Sequence, residues 1–458
     1  MRDAVILGSG ITGLTTAYHL KKQDKDCLVL DRADRTGGVI RSVYQDGFLY
    51  EEGPNSGVIG NIEVLRLFDE LKGDCELEIA ADGNVKKRYV LKNGRWEALP
   101  GGLKAAVATP LFSLSDKFRI LLEPFRPAGK DPHETLAGLV RRRMGKSFLN
   151  YAIDPFIIGV YAGDPGRLVP KYALPKLYKL EQEYGSFVGG SIKKQFKPKT
   201  EDEKRVNRKV FSVRGGLSSL VAALERNVGK ERILLNCLEL TVKPLSDHFE
   251  VSYLDASTNT VKTVLAKTVI STLGAHQLGR VLPFIPNDQL SKITSLHYTK
   301  VLEVIVGFKD WKGMDLDAFG ALIPFVEKRD LLGLLFMSSL FKDRAPEGGA
   351  LFSIFMGGVR RPDIYQLSDE EVLDILKREF CDLMKLSSFQ PDLLRIVRHE
   401  YAIPQYEADS GERFATISQI EQEFRGLVVG GNLRDGIGMA DRIFQARQLA
   451  DSILSYFC

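Results

Sequence analysis

The stretch that decides the fold is Ala4-Val5-Ile6-Leu7-Gly8-Ser9-Gly10-Ile11-Thr12-Gly13-Leu14. Four apolar residues with β-strand character lead directly into glycines spaced G-x-G-x-x-G, and a helical pattern follows. Between a strand and a helix, this spacing is typical of a loop that binds the phosphates of a dinucleotide. Gly8 permits the tight turn, Gly10 lets the backbone approach a pyrophosphate, and Gly13 lets the helix pack against the strand.

The next strand adds a carboxylate to this loop. Cys27-Leu28-Val29-Leu30 is apolar and ends at Asp31. At this distance from the glycines a carboxylate can hold a ribose hydroxyl, while the helix N terminus offers unpaired N–H groups to the phosphates. We therefore expect dinucleotide contacts from Gly8, Gly10, Ile11, Thr12, Gly13, Asp31 and Arg32.

Three further glycine-containing blocks indicate which dinucleotide is bound. Two follow Asp31, and they contain Gly37-Gly38 and Gly53-Pro54-Asn55-Ser56. The third, residues 426–439, again has the order strand, glycine turn and helix. An NAD-binding unit does not need a second glycine pair, and two glycine turns at opposite ends of the chain indicate one long ligand that contacts both.

These blocks resemble the FAD-binding blocks of the flavin amine oxidase superfamily, and the resemblance favours FAD over NAD. In that superfamily the last block lies along the flavin ring, and its helix N terminus faces the ring's carbonyl end. This chain departs from the pattern where residues 441–447 replace small residues, and where Asp31 replaces the commoner Glu. The resemblance predicts FAD contacts from Gly37, Gly38, Arg41, Gly53, Pro54, Asn55, Ser56, Gly431, Asn432, Gly436, Ile437, Gly438 and Met439.

Composition excludes several classes of protein. The chain has 458 residues, enough for two or three domains, and its mean hydropathy is −0.09. No apolar run approaches the roughly 18–20 residues that span a bilayer. The net charge of +4 gives no nucleic-acid footprint, and five scattered cysteines predict reduced thiols with no metal site. Because the first motif begins at residue 4, we expect no signal peptide and a cytoplasmic protein.

The order of elements predicts an α/β protein, α+β overall. We expect a discontinuous Rossmann-like FAD-binding domain, a mixed-sheet substrate domain and a helical subdomain. We also expect a short hairpin that turns at Asn93-Gly94. From pattern alone the helical part is an ordinary core, with a membrane-facing module as the alternative. The predicted ranges are 1–80, 206–288 and 411–458 for FAD binding, 81–100 and 289–410 for substrate, and 101–205 for the helices.

Several stretches outside the FAD blocks are more specific. The clearest are Gly-Val-Tyr-Ala-Gly-Asp-Pro at 159–165 and Ser-Ser-Leu-Phe-Lys-Asp-Arg-Ala-Pro at 338–346. Together with residues 87–90, 319–324 and 402–406, they resemble the protoporphyrinogen oxidase and coproporphyrinogen III oxidase family over nearly the whole chain. The resemblance implies that a porphyrinogen loses six electrons and six protons in three flavin cycles, with oxygen reoxidising the flavin to give peroxide. It also moves the helical subdomain towards a membrane-associating module.

The resemblance also implies which residues position the substrate. Arg88 matches a position that pairs with a substrate propionate, and a planar, permanently charged fork suits a carboxylate. Leu322 and Phe341 match positions that sandwich the macrocycle, and Gly159 matches one whose backbone lies against it. None of the four has to be a general base, because the cofactor carries the hard step.

Some alternatives remain open at this stage. The substrate is protoporphyrinogen or coproporphyrinogen, and the protein is a monomer or a homodimer. The implied partners are a porphyrinogen, oxygen, the inner face of the cell membrane and ferrochelatase. An amine oxidase or a carotenoid desaturase is the nearest enzyme rival, although residues 426–447 lack the cysteine that links flavin in several amine oxidases. The rival from another class is a binding protein without redox function, like the prenyl-GTPase escort proteins.

Overall fold

A computed structural model describes residues 1–457 except Lys86, Lys197 and Lys199. Its first sheet is built around Arg2–Leu7, which pairs in parallel with two other strands. Residues 4–7 are fully buried, because helices cover both faces of this part of the sheet. The strands are, in spatial order, Ile233–Leu234, Cys27–Leu30, Arg2–Leu7, Thr260–Ser271, Phe249–Asp255 and Cys237–Pro244, with Leu427–Val429 also paired to Thr260–Ser271.

Two groups of helices pack against the first sheet. One face carries the helices Ile11–Lys21, Ile62–Glu70, Ser218–Val228 and Met439–Tyr456. The other carries Ala275–Val281, Asn287–Thr294 and Ser410–Glu423. The carboxyl ends of the parallel strands meet at one edge of the sheet, which is where ligands bind in open α/β sheets.

The second sheet is mixed and lies in a separate hydrophobic core. The predicted hairpin is confirmed at its edge, with Asn93 and Gly94 at positive φ. The strands are, in spatial order, Leu393–His399, Val301–Phe308, Ala350–Gly357, Leu331–Phe336, Gly320–Leu322, Tyr89–Lys92 and Arg95–Ala98. The chain therefore has the predicted mixed α/β architecture.

Two small sheets join the larger parts of the molecule. The strands Ser42–Gln45 and Phe48–Glu51 form a hairpin. Val210–Val213 pairs with both Gly57–Val58 and Leu77–Ile79. The short turns of 3-10 helix are Glu123–Phe125, Lys230–Arg232, Phe325–Glu327 and Pro362–Gln366.

Most of the remaining helices form a separate bundle. At its centre Arg143 is fully buried, paired with Glu123 and Glu181. Among the described residues, no helix is both long and apolar enough to cross a bilayer. The helices are Leu103–Ala108, Leu114–Leu121, Leu136–Arg143, Lys146–Phe148, Leu149–Ile153 (a π-helix), Asp154–Tyr161, Pro170–Ala173, Pro175–Tyr184, Phe187–Gln195 and Glu201–Arg205, with Asp82–Val85 and Met337–Leu340 elsewhere.

Two element predictions were wrong in detail. The pattern predicts one strand over residues 233–240, but the chain breaks at Asn236, whose backbone is left-handed (φ +56°) and whose N–H donates to the Ala33 carbonyl. The pattern also predicts one helix over residues 369–386. The structure has a continuous helical stretch from Asp369 to Met384, and the prediction missed only its π-helical turn, Leu376–Phe380.

Candidate functional site

The first glycine loop has the geometry that its sequence predicts. Gly8 has a φ of +103°, which side chains rarely adopt. A Cβ on Gly13 would lie 1.9 Å from the Gly8 carbonyl oxygen, so only glycine fits there. A Cβ on Gly10 would meet nothing within 4 Å, so the space in front of this loop is open.

The second glycine loop (residues 36–41) lies against the first. Gly37 donates its N–H to the Ser9 carbonyl at 2.9 Å, and Gly10 and Gly37 form an isolated parallel bridge. Arg35 closes this loop, because its guanidinium donates to the Gly38 carbonyl at 2.8 Å and to the Ile40 carbonyl at 2.9 Å. The two loops therefore form one continuous backbone surface.

Asp31 lies beside the first loop and also holds it in place through hydrogen bonds. Its Oδ2 accepts from the Ser9 N–H at 2.6 Å and from the Ser9 hydroxyl at 2.7 Å, and its Oδ1 accepts from the Ala33 N–H at 2.9 Å. Each oxygen of a carboxylate can accept more than one hydrogen bond, so capacity for a ribose hydroxyl remains. Sequence reasoning missed Ser9, although its place between the first two glycines was a signal.

The third glycine loop (residues 430–438) is held from behind by two side chains of the helix Met439–Tyr456. Arg442 donates to the carbonyl of Gly431 and, at 2.9 Å, to the carbonyl of Arg434. The Gln445 side-chain oxygen accepts from the Gly431 N–H at 2.8 Å and from Arg442 at 2.7 Å. Both side chains belong to residues 441–447, the segment where the sequence departs from the superfamily pattern.

Two further buried side chains hold the same loop. The Tyr406 hydroxyl lies 2.9 Å from the Asn432 carbonyl oxygen and 3.0 Å from that of Gly436. Arg413 donates to the Leu433 carbonyl at 3.3 Å. Tyr406 lies in the stretch 402–406 that the resemblance includes, but no role was predicted for it, and the sequence carried no local signal for Arg413.

These contacts turn the loop into an array of N–H donors. In a trans peptide the N–H points opposite to the C=O, so each carbonyl drawn back directs the following N–H forward. Within the described part of the chain these N–H groups have no hydrogen-bond acceptor. Such an array suits phosphate oxygens or the carbonyl edge of a flavin, and with the open space at Gly10 it fits FAD. The donors belong to Asn432, Leu433, Arg434, Asp435 and Ile437.

Asn55, predicted to contact the cofactor, directs its side chain towards the second sheet. Its amide donates to Glu303 at 2.7 Å and accepts from the Ser353 hydroxyl at 2.7 Å. Glu303 is fully buried, which raises the pKa of its carboxyl group, and His399 lies 3.3 Å away. Asn55 therefore links its block to the second sheet, and a cofactor contact from this residue would come from its backbone.

Three of the four predicted substrate residues lie together. In the second sheet Val90 pairs with Leu322, and because alternate residues share a face, Arg88 projects on the same face as Leu322. A Cβ on Gly159 would lie 2.9 Å from a Leu322 methyl group. The Arg88 guanidinium lies over the Phe319 ring at 5.1 Å. We call Arg88, Gly159, Phe319 and Leu322 the substrate wall.

The substrate wall continues onto exposed apolar residues that sequence reasoning missed. Phe156 and Val160 are exposed on the helix Asp154–Tyr161, on the same face as Gly159. Their spacing of three and four residues from one another and from Gly159 was the available signal.

Phe341 is placed differently from the other three. Its ring is 4% exposed and packs in a core with Phe48 and Ile305, and Phe319 of the substrate wall contacts the same core. The Arg344 guanidinium lies 5.4 Å from the Phe341 ring and donates to Glu51 at 2.9 Å. Phe341 thus supports the wall from behind and is tied to the strand Phe48–Glu51.

Arg88 differs from the other basic residues nearby in having no carboxylate partner. Among the described residues Arg329 pairs with Asp382, Arg360 with Asp154, and Arg361 with Asp330. Arg88 forms no ion pair within that part of the chain. The protein atoms around it displace enough water to lower the pKa of its guanidinium. An unpaired guanidinium beside apolar side chains can bind a carboxylate on a large flat ligand.

Comparisons with known proteins identify the family of the chain. The sequence profile of the family described as "Flavin containing amine oxidoreductase" matches residues 11–431. The chain is 29% identical to the mitochondrial protoporphyrinogen oxidase of Nicotiana tabacum, over 99% of this chain and 95% of that protein. It is 26% identical to the coproporphyrinogen III oxidase of Bacillus subtilis (strain 168), over 99% and 98%.

Solved structures show the same fold at lower identity. A crystal structure of a protein from Exiguobacterium sp. 255-15 is similar with a TM-score of 0.81 at 21% identity, covering 99% of this chain and 98% of that one. Cyclohexylamine oxidase from Brevibacterium oxydans IH-35A has a TM-score of 0.70 at 13% identity, covering 100% and 99%. The chain therefore belongs to the flavin containing amine oxidoreductase family, and it is an FAD-dependent oxidoreductase.

Proposed function

We propose that this protein is an oxygen-dependent protoporphyrinogen IX oxidase of porphyrin and haem biosynthesis. The observation that carries the proposal is Arg88, a guanidinium without a carboxylate partner at the edge of the apolar substrate wall. Full-length similarity to protoporphyrinogen oxidases supports the same reaction.

The charge pattern around the wall favours a substrate with carboxylates on one edge. Protoporphyrinogen carries two propionates, whereas coproporphyrinogen carries four, spread around the ring. Arg329, Arg360 and Arg361 are already neutralised by Asp382, Asp154 and Asp330, so they offer little to additional carboxylates. Coproporphyrinogen remains the alternative substrate because of the Bacillus subtilis relative.

The chain's own residues would bind and orient the substrate. Arg88 would fix one propionate by paired hydrogen bonds, and Leu322, with the exposed Phe156 and Val160, would exclude water from the face of the macrocycle. Gly159 would let the ring approach the helix backbone closely, because it carries no side chain there. Such fixed alignment is the protein's main contribution when a cofactor supplies the chemistry.

The overall reaction balances without a catalytic acid or base in the chain. FAD, which the three glycine loops would hold, would supply a two-electron acceptor that oxygen regenerates after each of three cycles. The porphyrinogen loses three hydrides and three protons, and three molecules of oxygen become three of peroxide.

The experiment is aerobic turnover of both porphyrinogens by the FAD-loaded protein, followed by porphyrin fluorescence with the spontaneous rate subtracted. Faster oxidation of protoporphyrinogen supports the proposal. A preference for coproporphyrinogen would change the substrate and leave the reaction class intact. Failure to oxidise either would refute the proposal.

We further propose peripheral binding to an anionic membrane through an exposed apolar patch on the helical bundle. The patch comprises Leu114, Phe118, Leu121, Leu122 and Phe125, each between 55% and 85% exposed. Leu114, Phe118 and Leu121 repeat every three or four positions of the helix Leu114–Leu121, so they share one face, and Phe125 follows in the next turn.

The charges beside this patch suit anionic lipids. Lys117 and Arg119 donate to backbone carbonyls of the bundle and have no carboxylate partner among the described residues. An apolar face flanked by basic residues is the arrangement of interfacial helices. Sedimentation with vesicles containing anionic lipid at low salt tests this, and absence of binding would refute it.

Oxygen as the electron acceptor, transfer of the porphyrin to ferrochelatase, and action at the cytoplasmic face of the membrane belong to the same proposal. The division of the chain into domains, with boundaries at residues 80, 100, 205, 288 and 410, is also part of the proposal. Light scattering of the FAD-loaded protein would distinguish the monomer from the homodimer.

A further inference from the structure

Arg442 is a buried cation directly behind the third glycine loop. Its side chain is 6% exposed, and its hydrogen bonds go to the Gly431 and Arg434 carbonyls and to Gln445. Within the described residues its Nε has no hydrogen-bond partner. A guanidinium keeps its charge even when buried, so a full positive charge stands behind the N–H array.

The charge of Arg442 is not compensated by a paired carboxylate among the described residues, unlike the charges of two neighbouring arginines. Arg413 pairs with Asp409 at 3.1 Å, and Arg434 pairs with Glu421 at 3.2 Å. In the same described part of the chain Arg442 forms no ion pair. Burial lowers the pKa of Arg442, while the carboxylates of Asp441 and Asp435 act in the opposite direction without reaching ion-pair distance.

The position of the charge relative to the loop determines which peptide groups it polarises. Arg442 binds the carbonyl oxygens of two peptide groups whose N–H groups, those of Asn432 and Asp435, point the opposite way. The cation therefore polarises these peptide groups so that their N–H ends become better donors. In a dry interior its field also reaches further than in water.

We infer that Arg442 is a positioning residue for the cofactor, which orients the third glycine loop and favours the reduced state of bound FAD over the oxidised state. A reduced flavin carries more electron density, so a nearby uncompensated cation stabilises it. This inference rests on the FAD assignment and not on the porphyrinogen substrate.

The test compares three variants of the FAD-loaded protein without substrate. Arg442→Met removes the charge and keeps the length, and Arg442→Lys keeps the charge and loses the paired geometry. Arg447→Met is the control, because it removes a partly exposed guanidinium of the same helix that pairs with Asp451 and has no contact with this loop among the described residues. The measurements are the FAD midpoint potential and the dissociation constant of FAD from the apoprotein.

We expect Arg442→Met to weaken the preference for reduced FAD about tenfold. For a two-electron couple this corresponds to a midpoint potential about 30 mV lower than that of the parent. Arg442→Lys should stay close to the parent potential even where FAD binds more weakly, and Arg447→Met should match the parent in both measurements. Equal potentials in Arg442→Met and the parent, or equal shifts in Arg442→Met and Arg447→Met, would overturn the inference. If Arg442→Met retains no FAD, a lowered potential in Arg442→Lys would overturn it instead, and an unchanged one would support it.

Discussion

Replacement of Arg88 by alanine should weaken substrate binding while leaving the cofactor in place. Arg88 belongs to the substrate wall of the second sheet, whereas the glycine loops lie at the edge of the first. The guanidinium has no carboxylate partner among the described residues, so its removal leaves no buried anion behind. The loss should therefore be that of the substrate contact alone.

The magnitude follows from the kind of bond that is lost. A hydrogen bond to a charged group contributes about 1.5–3 kcal/mol. Since about 1.4 kcal/mol is tenfold in affinity, KM for protoporphyrinogen should rise roughly 10- to 150-fold. Because Arg88 is exposed and water reaches it, the lower part of this range is expected.

The assay is steady-state porphyrin formation, with the FAD content of each preparation measured from its visible spectrum. Arg329→Ala is the matched control, because Arg329 precedes the strand Leu331–Phe336 of the same sheet but is already paired with Asp382 at 2.8 Å. The control should change KM less than threefold. An unchanged KM in Arg88→Ala, or equal rises in both variants, would refute the reasoning.

Four further predictions concern other parts of the molecule. Gly13→Ala should abolish FAD binding, because its Cβ would lie 1.9 Å from the Gly8 carbonyl oxygen; a normal flavin spectrum in this variant would contradict the loop geometry. Gly159→Ala should raise KM with little loss of FAD, because the new methyl group would displace Leu322 from 2.9 Å; the KM should fall again in Gly159→Ala combined with Leu322→Val. Phe118→Glu with Phe125→Glu should reduce vesicle binding at least a hundredfold, since each buried phenylalanine contributes about 1.5–3 kcal/mol; Val261→Glu, exposed on another part of the surface, is the control and should bind normally. Burial lowers the pKa of His19 to about 4, so the unfolded state binds a proton before the folded state does, and stability should fall as pH drops from about 6.5 to 4; at about 1.4 kcal/mol per pKa unit the loss is about 3 kcal/mol, and chemical denaturation of His19→Met should show a smaller acid loss than the parent.

The first strand and the glycine loops could be predicted from the sequence because their determinants are local. The tight turn at Gly8, the close packing at Gly13 and the carboxylate of Asp31 all lie within one short unit. The Asn93-Gly94 turn fixed its hairpin for the same reason. In such units the backbone conformation admits only certain residue types, so the residue type predicts the backbone conformation.

The contacts that hold the site in place could not be predicted, because their partners are far apart in the chain. Asn55 binds Glu303 across 248 residues. Arg344, which lies over the Phe341 ring, binds Glu51 across 293 residues. Neither contact leaves a periodic pattern in the sequence. The break at Asn236 was missed because an asparagine with left-handed backbone does not interrupt an apolar run strongly enough to be seen.

The four substrate residues illustrate the same limit. The resemblance named Arg88, Gly159, Leu322 and Phe341 together. In the structure Gly159 contacts Leu322, and Arg88 lies on the same face of the sheet as Leu322. Phe341 lies behind, within a core. Exposed Phe156 and Val160 extend the wall, and their helical spacing would identify them only once the open face of their helix was known.

The most direct test of the proposed activity is anaerobic mixing of the FAD-loaded protein with protoporphyrinogen, followed by the flavin absorbance. We expect rapid bleaching of the oxidised flavin, with recovery when oxygen is admitted and one peroxide formed for each hydride transferred. Persistent oxidised flavin with protoporphyrinogen and with coproporphyrinogen, together with bleaching by an amine, would contradict it.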